Sequence, residues 1–273
     1  MRIGALPVAV ALQSVFLPLC LPIPALAGVI GVEDRQAIGD YARDHHMDVD
    51  QARQTFAASG RIMCDFSSAS AFLIYRNDIV VTARHVLFNE PDQGSYAGST
   101  GVHRCGFEVS DGKTSTWHKI DIQTITYLPD KQRNHTDRFD WVVMRLFGPV
   151  DGITPYQLPS ASAKAGEAVT AATIRQNGFP KQDWNERVLA DCAVRATPTI
   201  DAIPAAGVKI DCSLSPGASG GAVLRKTADG YEAIGIVSSG TLADCSSFDA
   251  SRCYSFAVGL TGPVIDAIKS LAR

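Results

Sequence analysis

Ser215-Pro216-Gly217-Ala218-Ser219-Gly220-Gly221 is the stretch on which the reading of this chain turns. Glycines stand two residues before Ser219 and one and two after it. A serine that attacks a carbonyl must project from a tight turn. Its neighbours must also let backbone N–H groups close on the reacting oxygen. Gly-Ser clusters are common in surface loops, so the turn alone decides little. Two upstream segments give it weight: Thr82-Ala83-Arg84-His85-Val86 and Phe139-Asp140-Trp141-Val142-Val143-Met144-Arg145-Leu146. Together they supply a histidine, an aspartate and a serine in that order. Asp140 directly precedes an apolar strand, which favours it over its neighbour Asp137.

Chain order discriminates between folds. Gly217-Ala218-Ser219-Gly220-Gly221 also satisfies G-x-S-x-G, the serine turn of α/β-hydrolases, where the histidine follows the serine. Here His45, His46, His85, His103, His118 and His135 all precede Ser219, so no base remains for that order. A subtilisin-like order needs the aspartate first and an α/β strand–helix pattern, which is missing.

From residue 59 the chain reads as short β runs: 60–65, 70–76, 78–83, 103–109, 119–127, 141–147, 167–174, 187–195, 207–212, 221–225, 231–238 and 253–259. Turn-rich stretches at 89–95, 110–112 and 228–230 separate some of them. A dozen short strands with few helices between them predict an all-β sandwich or barrel fold. Residues 261–271 place Val264, Ile265, Ile268 and Leu271 on one helical face, predicting a closing helix. Residues 149–165, rich in Pro, Gly, Ser and Ala, read as a linker between a first unit at 59–148 and a second at 166–273. Residues 32–58 read as helical, with no strand signal, and form an N-terminal extension or propeptide over 28–58. Within it, Asp44-His45-His46-Met47-Asp48 reads as a solvated helix end and not a metal site, since its histidines are adjacent.

The first 27 residues differ from the rest. Arg2 supplies a positive start, residues 4–23 are almost wholly apolar, and Ala25-Leu26-Ala27 is a small-residue cleavage site. This reads as a secretory signal peptide, so the expected location is secreted or periplasmic, with no membrane attachment after cleavage. The interrupting prolines argue against a retained anchor, and bulky Leu19 before Cys20 argues against a lipidated cysteine. Cleavage leaves Cys64, Cys105, Cys192, Cys212, Cys245 and Cys253. An even number in an exported chain reads as three disulfides. Order alone does not choose the pairing; the expected one is Cys64–Cys105, Cys192–Cys212 and Cys245–Cys253, at roughly 2.5–4 kcal/mol each. No Cys-x-x-Cys pair supports zinc, and no metal or cofactor is expected. The 273 residues are 46% hydrophobic and 19% charged, with a net charge of −3. That balance gives no electrostatic support for a nucleic-acid or anionic-membrane partner.

With these segments in order, the chain resembles the chymotrypsin-like, trypsin-type serine proteases, in the manner of a bacterial exported member. Residues 80–86 resemble that family's V-L-T-A-A-H segment, residues 140–146 its D-I-A-L-L-x-L segment, and residues 217–221 its G-D-S-G-G turn. Gly235-Ile236-Val237-Ser238-Ser239-Gly240 resembles its G-I-V-S-W-G strand. The likeness spans roughly residues 59–272. It implies two six-stranded antiparallel Greek-key barrels with a cleft between them, a polypeptide substrate and a serine endopeptidase working through an acyl-enzyme. It implies His85 as general base and acid, Asp140 as its orienting partner and Ser219 as nucleophile. It further implies Gly217 and Ser219 N–H groups as the oxyanion hole, and Ser238, Ser239 and Gly240 as the wall that pairs with substrate.

Departures from the family pattern carry expectations of their own. Ala218 stands where trypsin-type enzymes carry the aspartate that pairs with a freed N-terminus. That route to activation is therefore absent, and the likeness of Gly28-Val29-Ile30-Gly31 to an activated N-terminus reads as coincidence. Arg84 replaces a small residue, and Ser239 replaces a tryptophan. Ser213, six before the nucleophile, brings no charge to the expected specificity position and implies an uncharged P1 residue. Val237 stands where glutamate-specific relatives tend to carry histidine. Two other readings stay open: a catalytically silent homologue that binds peptides or partners, and an esterase using the same triad.

Overall fold

The apolar runs become antiparallel strands that close on themselves twice. The structure, a computed structural model, describes residues 28–64, 67–88, 105–110, 114–128, 139–174, 187–200, 202–241 and 244–273. The expected signal peptide over 1–27, together with His103, His135 and Asp137, lies outside the described residues.

The first barrel uses the strands β2 (Ser59–Cys64), β3 (Ser67–Ile74), β4 (Arg76–Thr82), β5 (Cys105–Ser110), β6 (Ser115–Thr126) and β7 (Val142–Leu146). They close in the order β2-β3-β4-β7-β6-β5. Ile62, Phe72, Phe107, Val80 and Met144 are fully buried. Removing each such side chain from water stabilises the fold by roughly 1.5–3 kcal/mol. The second barrel uses β8 (Ala168–Ile174), β9 (Arg187–Ala196), β10 (Gly207–Ile210), β11 (Ala222–Thr227), β12 (Gly230–Ser239) and β13 (Ser255–Gly259). Its order is β9-β10-β13-β12-β11-β8, and β8 pairs back onto β9 to close the ring. The expected closing helix forms over Gly262–Leu271 and buries Val264, Ala267 and Ile268. Residues 149–165 touch both barrels: Tyr156 bridges to Ile74 and Gln157 to Glu232. All three disulfides pair as expected.

The extension departs from the expected single helical stretch. Arg35–Ala37 is a strand, β1, followed by two short helices, α1 (Ile38–Asp44) and α2 (Val49–Thr55). β1 pairs with Val188–Ala190 of β9. Strand β10 meets β9 only around Val194 and Ala196, which leaves that edge open. A passing segment fills it whatever its own preference, because pairing context outweighs propensity. The helices break because His46 turns left-handed, with φ of 54°. Asp48 then caps α2, accepting from the backbone of Asp50 (2.8 Å) and Gln51 (3.2 Å). His45 pairs with Asp191 at 2.8 Å. Tyr41, Ala52, Phe56, Ala57 and Ala58 are buried, and the buried Arg187 donates to the carbonyls of Ala57 and Ser59. The extension is thus part of the core.

Asp34 lies against the second barrel and accepts from the backbone N–H of Ser213 at 3.1 Å. Burial pushes its carboxyl up to about 6; the Ser213 hydrogen bonds pull the other way, and Glu33 adds repulsion. Between pH 3.8 and about 6 the native state therefore holds a proton that the unfolded chain has released. Its contribution to stability falls as pH rises through that window. The melting temperature of Asp34→Asn, relative to wild type, should accordingly rise between about pH 4 and about pH 7. A constant difference across that range would contradict the buried carboxyl.

Candidate active site

Register brings the first two residues together. Thr82 ends β4 opposite Val142 at the start of β7. Asp140 lies two residues before Val142, and His85 three after Thr82, so both emerge at one end of the barrel. The short helix α3 (Arg84–Leu87) buries Val86 and Leu87, which turns His85 outward with its side chain 48% exposed. Trp141, 2% exposed, anchors the start of β7 beside Asp140.

Asp140 is held by three donors. Its Oδ2 lies 2.7 Å from His85 Nδ1, its Oδ1 accepts the His85 backbone N–H at 2.8 Å, and the Ser238 hydroxyl donates to Oδ2 at 2.6 Å. Burial pushes the carboxyl up, but the hydrogen bond and charge of His85, followed by Ser238, outweigh it and hold Asp140 below its ordinary value. An ionised carboxylate only accepts, so the hydrogen of this bond sits on Nδ1.

Ser219 arrives from the second barrel. Gly220 N–H donates to Val237 O at 2.7 Å and Val237 N–H to Gly221 O at 2.8 Å, which sets the turn beside Ser238. Gly220 has φ of +82°, and a Cβ there would lie 2.1 Å from Thr82 Oγ1, 2.2 Å from Ser70 O and 3.0 Å from Ala83 N. Only glycine lets the turn pack this closely on the strand that leads into His85. Ala218 N–H donates to Ser215 O, and Gly221 N–H to Ala218 O. Among the described residues, the N–H groups of Gly217 and Ser219 donate to nothing, which leaves two backbone donors free at the serine.

Ser70, which sequence reasoning missed, ties the two barrels together at this point. Its N–H donates to Gly217 O and Ser219 O, each at 3.0 Å. Its hydroxyl donates to Gly217 O at 2.7 Å and accepts from Ile174 N–H at 2.8 Å, while its carbonyl takes the Thr82 hydroxyl at 2.8 Å. Ser70→Ala would leave the buried Ile174 N–H unpaired, and an expected loss of about 1–3 kcal/mol follows. The midpoint of denaturant unfolding checks it, and an unchanged midpoint would refute the hydroxyl's role.

The other expected residues divide. Ser239 and Gly240 are exposed at the end of β12. Strand β11 begins at Ala222, opposite Ile236, so beyond the Gly221–Val237 bond no described strand pairs with residues 238–240 on that side. Ser238, read as part of the substrate wall, turns its side chain inward to Asp140. Ser213 is buried, and its hydroxyl accepts from Ile30 N–H at 3.2 Å. The guanidinium of Arg84 sits over the rings of Phe88 and Tyr127, at 5.8 and 5.3 Å, a cation–π setting.

A family model of the trypsin-like peptidase domain matches residues 69–236. Among solved structures, a Glu endopeptidase in complex with MPD is similar, with a TM-score of 0.62 and 13% identity over 90% of this chain and 100% of that one. That likeness shows the fold of a chymotrypsin-like serine protease. No curated protein matches the sequence. With two closed barrels, a family match over more than half its length and a histidine–aspartate pair in the frame the family expects, the chain belongs to the trypsin-like peptidases.

Proposed function

We propose that this chain is an exported serine endopeptidase that cleaves peptide bonds through His85, Asp140 and Ser219. The observation that carries the reading is the Asp140 carboxylate. It accepts from both the ring and the backbone of His85 and from Ser238, beside the turn that presents Ser219. A carboxylate fixed on Nδ1 orients the imidazole so that Nε2 serves as the base.

Ser219 Oγ attacks the scissile carbonyl as His85 Nε2 takes its proton, forming a tetrahedral oxyanion. The free N–H groups of Gly217 and Ser219 stabilise that charge, each worth roughly 3–4 kcal/mol in such a site. His85 returns the proton to the leaving amine and the acyl-enzyme forms. Water, deprotonated by the same imidazole, then releases the acid and restores the serine. The open edge at 238–240 pairs with the substrate as an added strand. The uncharged Ser213 supports an uncharged P1 residue. The glutamate preference in the name of the structural relative belongs to that protein. Three disulfides support an oxidising compartment, and no described helix is long and apolar enough to cross a membrane.

The test is labelling of the mature protein with an organophosphonate or sulfonyl fluoride, followed by peptide mapping. One adduct on Ser219 is expected, together with turnover of peptide amides. The absence of an adduct would favour a silent binding homologue, and turnover of esters without peptides would favour an esterase.

A further inference from the structure

Ala218 is 2% exposed and carries no charge, so no ion pair holds the serine turn from within. The turn is tethered upstream by the Cys192–Cys212 bridge and the Ser255 hydroxyl on Cys212 O at 2.8 Å, and downstream by Ser70. Between these tethers lie Ser213, Leu214 and Ser215. Among the described residues, every side-chain-mediated hydrogen bond to those three comes from residues 30–35. Ile30 N–H reaches the Ser213 hydroxyl, and Asp34 takes the Ser213 N–H. Arg35 donates through one terminal nitrogen to Leu214 O at 3.2 Å and to Ser215 Oγ at 3.1 Å. Glu33 braces that guanidinium, accepting from Nε at 2.6 Å and from the second terminal nitrogen.

We propose that Asp34 and Arg35 are positioning residues for the serine turn, and that residues 28–58 are therefore retained in the working protein. The inference rests on Ser219 being the nucleophile. Arg35 grips Ser215, whose carbonyl accepts the Ala218 N–H at 3.0 Å. Its hold reaches the peptide units of Gly217 and Ser219 through two or three bonded residues. Displacing oxyanion donors by about 1 Å costs on the order of a hundredfold in rate. Side chains already in the chain thus do the work that a newly freed N-terminus does where an acid follows the first glycine of the turn. Cutting near residue 58 would remove the clamp. It would also strip Tyr41 and Phe56 from the core and β1 from β9.

The experiment uses the full mature chain as wild type, Arg35→Ala, Arg35→Lys, Asp34→Ala and Asp34→Asn. Asp48→Ala serves as a control in the same extension, since Asp48 caps α2 and its side chain hydrogen-bonds, among the described residues, only to Asp50 and Gln51. Measured are kcat, KM, the rate of phosphonate labelling at Ser219, melting temperature and the N-terminal residue of the active species. The two clamp-removing alanine variants should lose about tenfold or more in kcat and labelling with KM within about threefold. Arg35→Lys and Asp34→Asn, which keep a donor and an acceptor, should recover most of the loss. Asp48→Ala should lower the melting temperature and leave kcat unchanged. The inference is overturned if the clamp variants keep wild-type kcat, or if kcat in all variants, the control included, simply tracks melting temperature. An active species that begins at or beyond residue 59 overturns it equally. Wild-type protein that neither labels nor turns over peptide brings down the hydrolase reading itself, and the clamp with it; active wild type with unaffected variants removes the clamp alone.

Discussion

Replacing Ser219 with alanine is expected to lower kcat by about 10⁶-fold, the scale seen when a triad nucleophile is removed. The residual rate comes from the remaining binding surface and the Gly217 and Ser219 N–H groups, which are backbone and survive the change. Stability should hardly move. No hydrogen bond among the described residues depends on the Ser219 hydroxyl, whereas its backbone carbonyl, bonded to Ser70, is untouched. Peptide turnover, phosphonate labelling and a thermal melt on one preparation check all three statements. A variant that keeps more than about 1% of the wild-type kcat would place the nucleophile elsewhere.

The second large effect belongs to Asp140→Asn, expected to lower kcat by about 10⁴-fold with KM nearly unchanged. The carboxylate accepts from three donors, while an amide offers one oxygen and an NH₂. One donor must then face another donor. If that donor is Nδ1–H, the ring settles in the tautomer that protonates Nε2, and no base faces Ser219. KM stays because Asp140, behind the imidazole, touches no peptide. The held-down carboxyl also sets a direction with pH. Its ionised form contributes stability above the ordinary carboxylate range, and that contribution is lost as pH falls through the lower native value. Acid melts of wild type should therefore show a loss that Asp140→Asn does not share. A rise in KM with kcat intact would mean that Asp140 serves only the shape of the cleft.

Much of this could be read from the chain because it depends on near neighbours. The short apolar runs at 78–83 and 141–147 announce buried strands, and β4 and β7 form there. The glycines around Ser219 announce a turn that needs positive φ, and Gly217 and Gly220 adopt it. The histidine, aspartate and serine stand in short, recognisable frames. The missed strand β1 shows where such reading ends. Three residues have no period, and Arg35–Ala37 is extended only because β9 presents an unfilled edge.

Composition and strand pattern were enough to name an all-β fold, and the short frames around His85, Asp140 and Ser219 carried the family resemblance that implied two barrels and a candidate triad, since each is written within a few consecutive residues. The supports of that triad lie beyond such windows. Ser238 meets Asp140 across 98 positions, Ser70 meets Gly217 across 147, and Arg35 meets Ser215 across 180. The first two form only once the barrels have closed and docked, the third only once the extension lies on the second barrel, and a serine or arginine that makes one carries no local mark distinguishing it from its solvated neighbours.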